Sequence, residues 1–239
     1  GYGIVSSVSS LKNLVNNSGV VAADVTGVGT ARRDLAAATY GTDKAIFAYG
    51  QNSGGSKVSM SNLVSNSGVV ATDTTGVGTA RGDLAATGYG STGQSIFGYG
   101  NTGSYVSMTN LVTNVGVIGT DVTGVGTVRR SLAACTFGGD KAIFGFGRDG
   151  SNELSVTNLV SNVGVVAADT TGVGTAREKL GACSFGGDKG IFAFGVDNGG
   201  AGRVSTSNLV SNSGVVASNT TGVGSATNRL GAAGYSTSA

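Results

Sequence analysis

The sequence contains no histidine, no proline and no tryptophan, and only 12% of its 239 residues are charged. Without histidine there is no Ser-His-Asp triad, no imidazole general base and no histidine-ligated metal. The net charge is only +2 and no basic patch or stripe is present, so we expect no nucleic-acid binding. No run of 18 apolar residues occurs, so we expect no insertion into a membrane.

Glycine is the residue that the sequence has in excess, with 44 copies. No Gly-X-Y period is present, which excludes a collagen-like helix. The apolar residues are regularly spaced, which argues against a disordered chain. A length of 239 residues is enough for one large all-β domain or for two smaller domains.

One segment, beginning TGVG, occurs five times along the chain. Its copies begin at residues 26, 75, 123, 171 and 221, and are therefore 49, 48, 48 and 50 residues apart. This period lies in the range of propeller blades and exceeds that of leucine-rich or ankyrin repeats. Each unit is rich in Gly, Val, Thr, Ser and aromatic residues, a composition that favours strands. Gly and Asn clusters divide each unit into short pieces, as expected of strands joined by turns.

Four antiparallel strands are predicted in each unit. In the unit from 34 to 74 they span residues 34–40, 44–50, 57–64 and 69–74. Five such units predict an all-β fold, a five-bladed β-propeller that forms a single domain over residues 1–239. The first strands, rich in Ala and Gly, are expected innermost, near residues 35, 84, 132, 180 and 230. Alternation along the second strand predicts that Phe47 and Tyr49 share one face and Ile46 the other.

The two ends of the chain are expected to complete one blade together. Residues 1–15 match the end of a second strand and a third strand, and the C-terminus matches a first strand. We therefore expect residues 8–15 and 20–25 to be the outer strands of a blade whose first strand is residues 230–235, with residues 8–15 in the same sheet as 230–235 or one strand away. A counterpart of the KAIF segment is missing, and two explanations stay open: a rudimentary second strand, or a parent chain that is longer at its N-terminus.

The repeat resembles a degenerate kelch repeat. The resemblance is carried by R-x-x-LAAA-x-YG-x-DKAIF-x-YG, followed by a variable loop, S-x-x-NLV and GVV, over the whole chain. The second strands end in a single Gly and Trp is absent, whereas the kelch pattern has Gly-Gly and a Trp. Gly-rich arrays of this kind also look like bacteriophage repeat proteins. This likeness implies a role in the virion or its tail, and therefore a location in the virion or outside the cell. Copper oxidases of this fold class need histidine ligands, so that chemistry is excluded.

Each crossover between units carries an Asp and an Arg eight residues apart. An ion pair across the crossover, an Asx-turn and a ligand site are the three interpretations that the spacing leaves open. In the fifth copy both residues change together, to Asn219 and Thr227. The pairs in the first four copies are Asp24 with Arg32, Asp73 with Arg81, Asp121 with Arg129, and Asp169 with Arg177.

No catalytic residue, metal site or cofactor is predicted. Cys135 and Cys183 occupy one repeat position, where other copies have Ala38, Thr87 and Ala233. They could form a disulfide or metal pair, or be two small buried side chains. Inner strands of neighbouring blades should be too far apart for a disulfide, so we expect two buried, reduced thiols.

The loops between the second and third strands hold nearly all the variation between units. They should share a rim with the crossovers, and loops on a rigid scaffold commonly carry binding residues. We therefore expect a non-enzymatic module whose partner, a glycan or a virion or host protein, contacts this rim. The alternatives are a purely architectural virion protein and an engineered or amplified repeat protein without a ligand. The candidate ligand-binding residues are Gln51, Asn52, Asn101, Tyr105, Arg148, Asp149, Asn152, Asp197, Asn198 and Arg203.

Overall fold

The computed structural model describes residues 2–4, 6–16, 18–197 and 202–234. Within these ranges the chain forms β-strands, turns and irregular segments, and no helix, which confirms the all-β prediction. It follows that the described ranges hold no helix with the length and hydropathy needed to cross a bilayer.

The strands are short, and most follow the repeat. In chain order they are β1 (Gly3–Ile4), β2 (Val8–Ser9), β3 (Arg32–Arg33), β4 (Ala36–Tyr40), β5 (Lys44–Ala48), β6 (Gln51–Asn52), β7 (Ser61–Val64), β8 (Ala85–Tyr89), β9 (Gln94–Asn101), β10 (Tyr105–Val112), β11 (Ala133–Phe137), β12 (Lys141–Gly145), β13 (Thr157–Val160), β14 (Arg177–Glu178), β15 (Gly181–Phe185), β16 (Lys189–Ala193), β17 (Val196–Asp197) and β18 (Ser207–Val210).

Four three-stranded antiparallel sheets carry the fold. Their orders are β4-β5-β7, β8-β9-β10, β11-β12-β13 and β15-β16-β18, one sheet for each of four successive units. We call these unit 1 (residues 34–74), unit 2 (83–122), unit 3 (131–170) and unit 4 (179–220). The crossovers between them pair with the variable loops, as in β3 with β6 and β14 with β17.

The predicted fourth strand of each unit is reduced to two isolated bridges, so that part of the prediction is wrong. In unit 1 the bridges join Ser61 to Thr74 and Val64 to Val70. Between them the Asn62 side chain donates to the carbonyl oxygen of Ala71, at 3.0 Å. A side chain thus takes the place of a backbone partner, and the two bridges differ in register by one residue, which interrupts the ladder.

The hydrophobic core lies between units. The Tyr49 ring packs against Phe97 of unit 2, with centroids 5.6 Å apart, whereas Phe47 packs against Tyr2, at 5.2 Å. Phe47 and Tyr49 therefore contact different neighbours, and the prediction that they share a face is wrong. The cause is the left-handed backbone of Tyr49, with φ 66°, which breaks the alternation of a strand.

The first strands of the units lie around a common cavity of about 460 Å³. At one end of these strands four backbone hydrogen bonds link residues at one repeat position in series. The donors and acceptors are Asp83 N to Asp34 O, Ser131 N to Asp83 O, Lys179 N to Ser131 O and Arg229 N to Lys179 O, at 2.8–2.9 Å. The cavity is lined at its middle by Ala38, Thr87, Cys135, Cys183 and Ala233.

The terminal segments do not pair with each other within the described residues. Val8–Ser9 pairs with Gly3–Ile4, and residues 230–234 form no strand. Tyr235, the last residue of the predicted strand, lies outside the described residues. The missing counterpart of β5 explains the difference, because that strand would have to lie between the two segments.

Candidate functional site

A fully buried arginine joins each unit to the next. The Arg81 guanidinium lies 4.2 Å from the centroid of the Tyr49 ring, which belongs to the preceding unit. Its Nη2 donates to Asn110 Oδ1 of the following unit at 2.7 Å, and its Nε donates to the Tyr99 carbonyl at 2.9 Å. Asp121 completes the cluster, with Oδ1 4.0 Å from Nη1. We call this cluster an arginine clamp.

The clamp recurs at three of the other four crossovers, and the last one carries Thr227 in place of the arginine. Arg32 lies over Tyr2 and donates to Asn62, and Arg129 lies over Tyr99 and donates to Asn158. Arg177 lies 4.1 Å from the centroid of the Phe146 ring. A buried guanidinium packs against an aromatic face and donates to an amide oxygen in the clamps of Arg32 and Arg129, although Arg32 Nε has no hydrogen-bond partner among the described residues.

The interpretation of Asp and Arg as an ion pair within one crossover, one of the three left open by the spacing, is wrong. Arg32 is 3.4 Å from Asp73, not paired with Asp24, and Arg129 is 3.9 Å from Asp169. Each arginine thus pairs with the Asp of the following unit, because the crossover carries it across the junction. The Asx-turn interpretation also fails at these positions. Asp73 binds the preceding crossover, accepting from Thr30 N at 2.9 Å and from its hydroxyl at 2.7 Å.

The clamp carboxylates are held in the ionised form. For Asp73, Asp121 and Asp169 burial raises the pKa, but donation from the crossover Thr and the clamp Asn, together with the nearby arginine, outweighs it and lowers the pKa overall. The clamps of Arg32, Arg81 and Arg129 therefore each contain a deprotonated aspartate at neutral pH.

The clamp weakens toward the C-terminal end of the chain. Asn219 replaces the aspartate in unit 4, and its Oδ1 accepts from Thr175 N at 3.2 Å. Burial lowers the pKa of Arg177 to about 10, and Asn208 Oδ1 has no hydrogen-bond partner among the described residues. At the last crossover Thr227 occupies the arginine position, so no guanidinium is present there.

The two cysteines are free thiols on the inner strands. Cys135 is buried, and burial together with the neighbouring Cys183 raises its pKa to about 12. Cys183 is only half-buried, so the expectation of two buried thiols holds for Cys135 alone. In the described ranges no group of three or more His, Cys, Asp or Glu side chains is placed to hold a metal ion.

A second group of polar side chains surrounds a pocket of about 280 Å³. The pocket lies where the crossovers lead into the first strands, beside the backbone hydrogen bond from Asp83 N to Asp34 O. Two ion pairs lie in it, Arg33 with Asp34 at 3.6 Å and Arg130 with Asp83 at 3.5 Å. Burial, then the neighbouring Asp34, raises the pKa of Asp83. We call this cavity the polar pocket; its charged lining residues are Arg33, Asp34, Lys57, Asp83, Arg130 and Arg229.

Three of the candidate ligand-binding residues lie at the polar pocket. Gln51 and Asn101 line it, from units 1 and 2, and Tyr105 lies beneath the Arg130 guanidinium, 5.3 Å from ring centroid to the guanidinium carbon. Gln51 Oε1 accepts from the Arg33 Nε and Nη2, at 3.0 and 2.8 Å. The structure therefore brings together loops of two units that are far apart in sequence.

The other candidates lie in loops away from the polar pocket. Asn52 and Asp149 cap their own loops, accepting from Ser56 N and from Ser151 N and Asn152 N, at 2.7–3.0 Å. Arg148 donates to Glu153 at 2.6 Å. Asp197 and Arg203 take part in backbone pairing with the crossover and within the loop. Asn198 lies outside the described residues.

The turns after the first and third strands form the opposite rim. There the amides of Asn66, Asn162 and Asn212 donate to Asp43, Asp140 and Asp188, at 3.1–3.2 Å. We call this the hairpin-turn rim. In units 1, 3 and 4 these side-chain bonds stay within one unit, whereas the backbone amides of Gly90 and Gly138 donate to the carbonyl oxygens of Asp140 and Asp188 in the following unit.

Sequence reasoning missed most of the charged residues of the polar pocket. Arg33, Asp34, Asp83 and Arg130 lie directly after a clamp arginine or one residue further, and Arg229 has the same place after Thr227, which replaces the arginine in the last crossover. A signal was available: these two positions vary between units, whereas the residues on either side recur. Variation at a fixed place in a constant repeat marks a surface that folding does not constrain.

Comparison with protein-family models finds no match, and comparison with curated proteins likewise finds none.

Proposed function

We propose that the chain forms a five-bladed, kelch-like β-propeller that acts as a non-enzymatic recognition module for carbohydrate. The observation that carries the recognition proposal is the polar pocket, where Gln51 of unit 1 and Asn101 of unit 2 meet charged side chains at four of the five crossovers. Amide and charged groups that converge on a small concave site suit a ligand rich in hydroxyl groups.

The five-bladed arrangement is supported by repeated contacts around the common cavity. Five equivalent inner segments line it, and four serial hydrogen bonds join them from Asp34 to Arg229. Tyr2, in the described N-terminal segment (residues 2–4, 6–16 and 18–25), packs against unit 1 in the way that each unit packs against the next. We propose that these residues and residues 229–234 complete the fifth blade.

A glycan is favoured over a protein partner by the shape of the site. The polar pocket is small and concave, whereas a protein interface usually needs a broad surface of about 800 Å² on each partner. By resemblance alone, we propose a phage virion or tail as the setting, in which surface glycans of a host would be the natural ligands.

An architectural role without a ligand is the second candidate. One observation favours it: Asn52, Arg148 and Asp149 make their hydrogen bonds within their own loops, which leaves fewer groups for a partner. The same bonds would also stiffen loops that vary in length between units.

A glycan array screened with the labelled full chain separates the two candidates. We expect binding to a restricted set of glycans, lost in Asn101→Ala and kept in Asn114→Ala. Asn114 is an exposed residue of the hairpin-turn rim, so the second variant removes the same amide from the other rim. Absence of binding to any glycan would favour the architectural role. Loss of binding in Asn114→Ala alone would show that the ligand contacts the opposite rim.

A further inference from the structure

The polar pocket carries more positive than negative charge. Four cationic side chains and two carboxylates line it. Each carboxylate already has a partner, since Arg33 lies beside Asp34 and Arg130 beside Asp83. Lys57 and Arg229 make no ion pair among the described residues and are therefore available to a ligand.

The orientation of the Arg130 guanidinium in the pocket is fixed by its neighbours, which favours the binding of an anion. Its guanidinium lies over the Tyr105 ring and beside Asp83, so two contacts fix its orientation. Its Nε is buried and has no hydrogen-bond partner in the described structure. A buried donor without a partner is costly, and an oxygen ligand that reached it would recover that cost. An arginine fork fixed in this way binds planar carboxylates well.

The backbone beneath the pocket is strained and fixed. Asp34 and Asp83 have φ values of 54° and 55°, in the left-handed region that non-glycine residues seldom adopt. The Asp83 amide donates to the Asp34 carbonyl at 2.9 Å, which locks both residues. Ser131, Lys179 and Arg229 have the same left-handed conformation at this repeat position, so the repeat itself fixes the backbone that holds the two carboxylates.

The pocket also offers groups for hydroxyls. Asn101 accepts from Gly103 N through its Oδ1, and no bond is made by its Nδ2 among the described contacts. Asp34 presents a carboxylate, which accepts hydrogen bonds from hydroxyl groups. The two aspartates also oppose a doubly charged anion, so a single negative charge fits the pocket better than a phosphate does.

We infer that the polar pocket binds the carboxylate of an acidic sugar residue, with Arg130, Lys57 and Arg229 facing the charge and Asn101 and Asp34 facing the hydroxyls. The inference rests on the proposed function, because it names the class of glycan that the same site recognises. The pocket of about 280 Å³ has room for one such residue, with the rest of the glycan in solvent.

Calorimetric titration of the full chain with a matched pair of probes tests this assignment. The pair is methyl glucuronide and methyl glucoside, which differ only in the carboxylate. We expect the glucuronide to bind about tenfold or more tightly than the glucoside, with affinity that falls as salt is added. Equal binding of both probes would overturn the acidic assignment and leave glycan recognition standing. Absence of binding to both probes, and to every glycan of the array, would overturn the proposed function as well.

Charge-matched variants locate the site. Lys57→Gln and Arg130→Gln should each weaken glucuronide binding about tenfold. Lys141→Gln removes one positive charge from the hairpin-turn rim and should leave the affinity unchanged. Lys57 makes no ion pair in the described structure, so we expect Lys57→Gln to fold. This variant therefore still tests the assignment if Arg130→Gln fails to fold. Inorganic phosphate binding more tightly than the glucuronide, or an equal loss in Lys141→Gln, would contradict the assignment.

Discussion

The crossovers that carry a clamp arginine differ sharply from the last crossover, which carries Thr227. At the crossover into unit 2 a Cβ added at Gly78 would lie 2.5 Å from Asp121 Oδ1, so the two units approach closely. At the equivalent Gly224 nothing described lies within 4 Å. Val77 is half-buried, but its counterpart Val223 is 87% exposed. The same repeat therefore makes a tight junction where the arginine is present and an open one where it is absent.

The clamps also differ from one another in the residue that lies beside the arginine. Arg32, Arg81 and Arg129 have an aspartate within 4.0 Å, whereas Arg177 has Asn219 nearby and no carboxylate. Junction strength should therefore fall along the chain, from arginine with aspartate, to arginine with asparagine, to threonine. If the ring closes as proposed, the last junction is the place where it would open first.

Removal of a clamp arginine should have the largest effect. Arg129→Ala takes away the buried cation and leaves Asn158 and Asp169 without their partner. We expect the free energy of unfolding to fall by about 3–5 kcal/mol, because a buried group then lacks compensation. Urea denaturation followed by tyrosine fluorescence measures the change.

Thr227→Ala is the matched control for that loss. Because Thr227 carries no guanidinium, we expect a change within about 0.5 kcal/mol, as for an ordinary surface substitution. Arg129→Lys keeps the charge and should lie between the two, which allows a result even if the alanine variant is insoluble. Equal losses in Arg129→Ala and Thr227→Ala would contradict the comparison.

Acid should loosen the three junctions that contain aspartate. The folded-state pKa values of Asp73, Asp121 and Asp169 are lowered, so these groups contribute stability above their unfolded pKa of about 4. That contribution is lost as the pH falls through the lower folded values. A stability profile between pH 7 and pH 2 should therefore decline below about pH 4, and an Asp169→Asn variant should decline less. A flat profile would show that the carboxylates do not stabilise the clamps.

Adding a carboxylate to the fourth clamp should strengthen it. Asn219→Asp places a negative charge beside Arg177, and we expect a gain of about 1.5–3 kcal/mol, the range for a hydrogen bond to a charged group. The gain should be present at pH 7 and disappear in acid, since the new aspartate would have a lowered pKa. Denaturation at both pH values tests this, with Asp169→Asn as the reverse exchange in unit 3. A gain that persisted in acid would point to packing instead of charge.

Much of the fold could be predicted because the same pattern of apolar residues and turn residues occurs in each unit. The first three strands of each unit follow from alternation and from turn residues, and β4 and β5 lie inside the predicted spans. The fourth strand failed because Asn62 binds backbone groups that a strand would use. The prediction that Phe47 and Tyr49 share a face was wrong because the pattern of polar and apolar residues does not reveal that Tyr49 has a left-handed backbone conformation.

The candidate site was harder to predict than the fold. Spacing identified the clamp Asp and Arg as a pair, but a crossover of unknown path could not show that the partner belongs to the following unit. The polar pocket depends on residues about 50 positions apart, such as Asp34 and Asp83, which meet only after the units are arranged. Loop variation directed attention to Gln51 and Asn101, and the varying residues beside the clamp arginines were overlooked.

Installing an arginine at the last crossover should have the smallest effect and tests ring closure directly. Thr227→Arg would place a guanidinium near Phe194, and in a closed ring it would meet Asn13 and Asp24, which already bind each other at 2.8 Å. Because the clamp motif is otherwise complete there, we expect a gain of about 0.5–1 kcal/mol, limited by the exposure of this edge. Thr227→Arg combined with Asp24→Asn should lose most of that gain in a double-mutant cycle. If Thr227→Arg gives the same stability whether or not Asp24 is present, the two ends do not meet, and the proposed fifth blade is wrong.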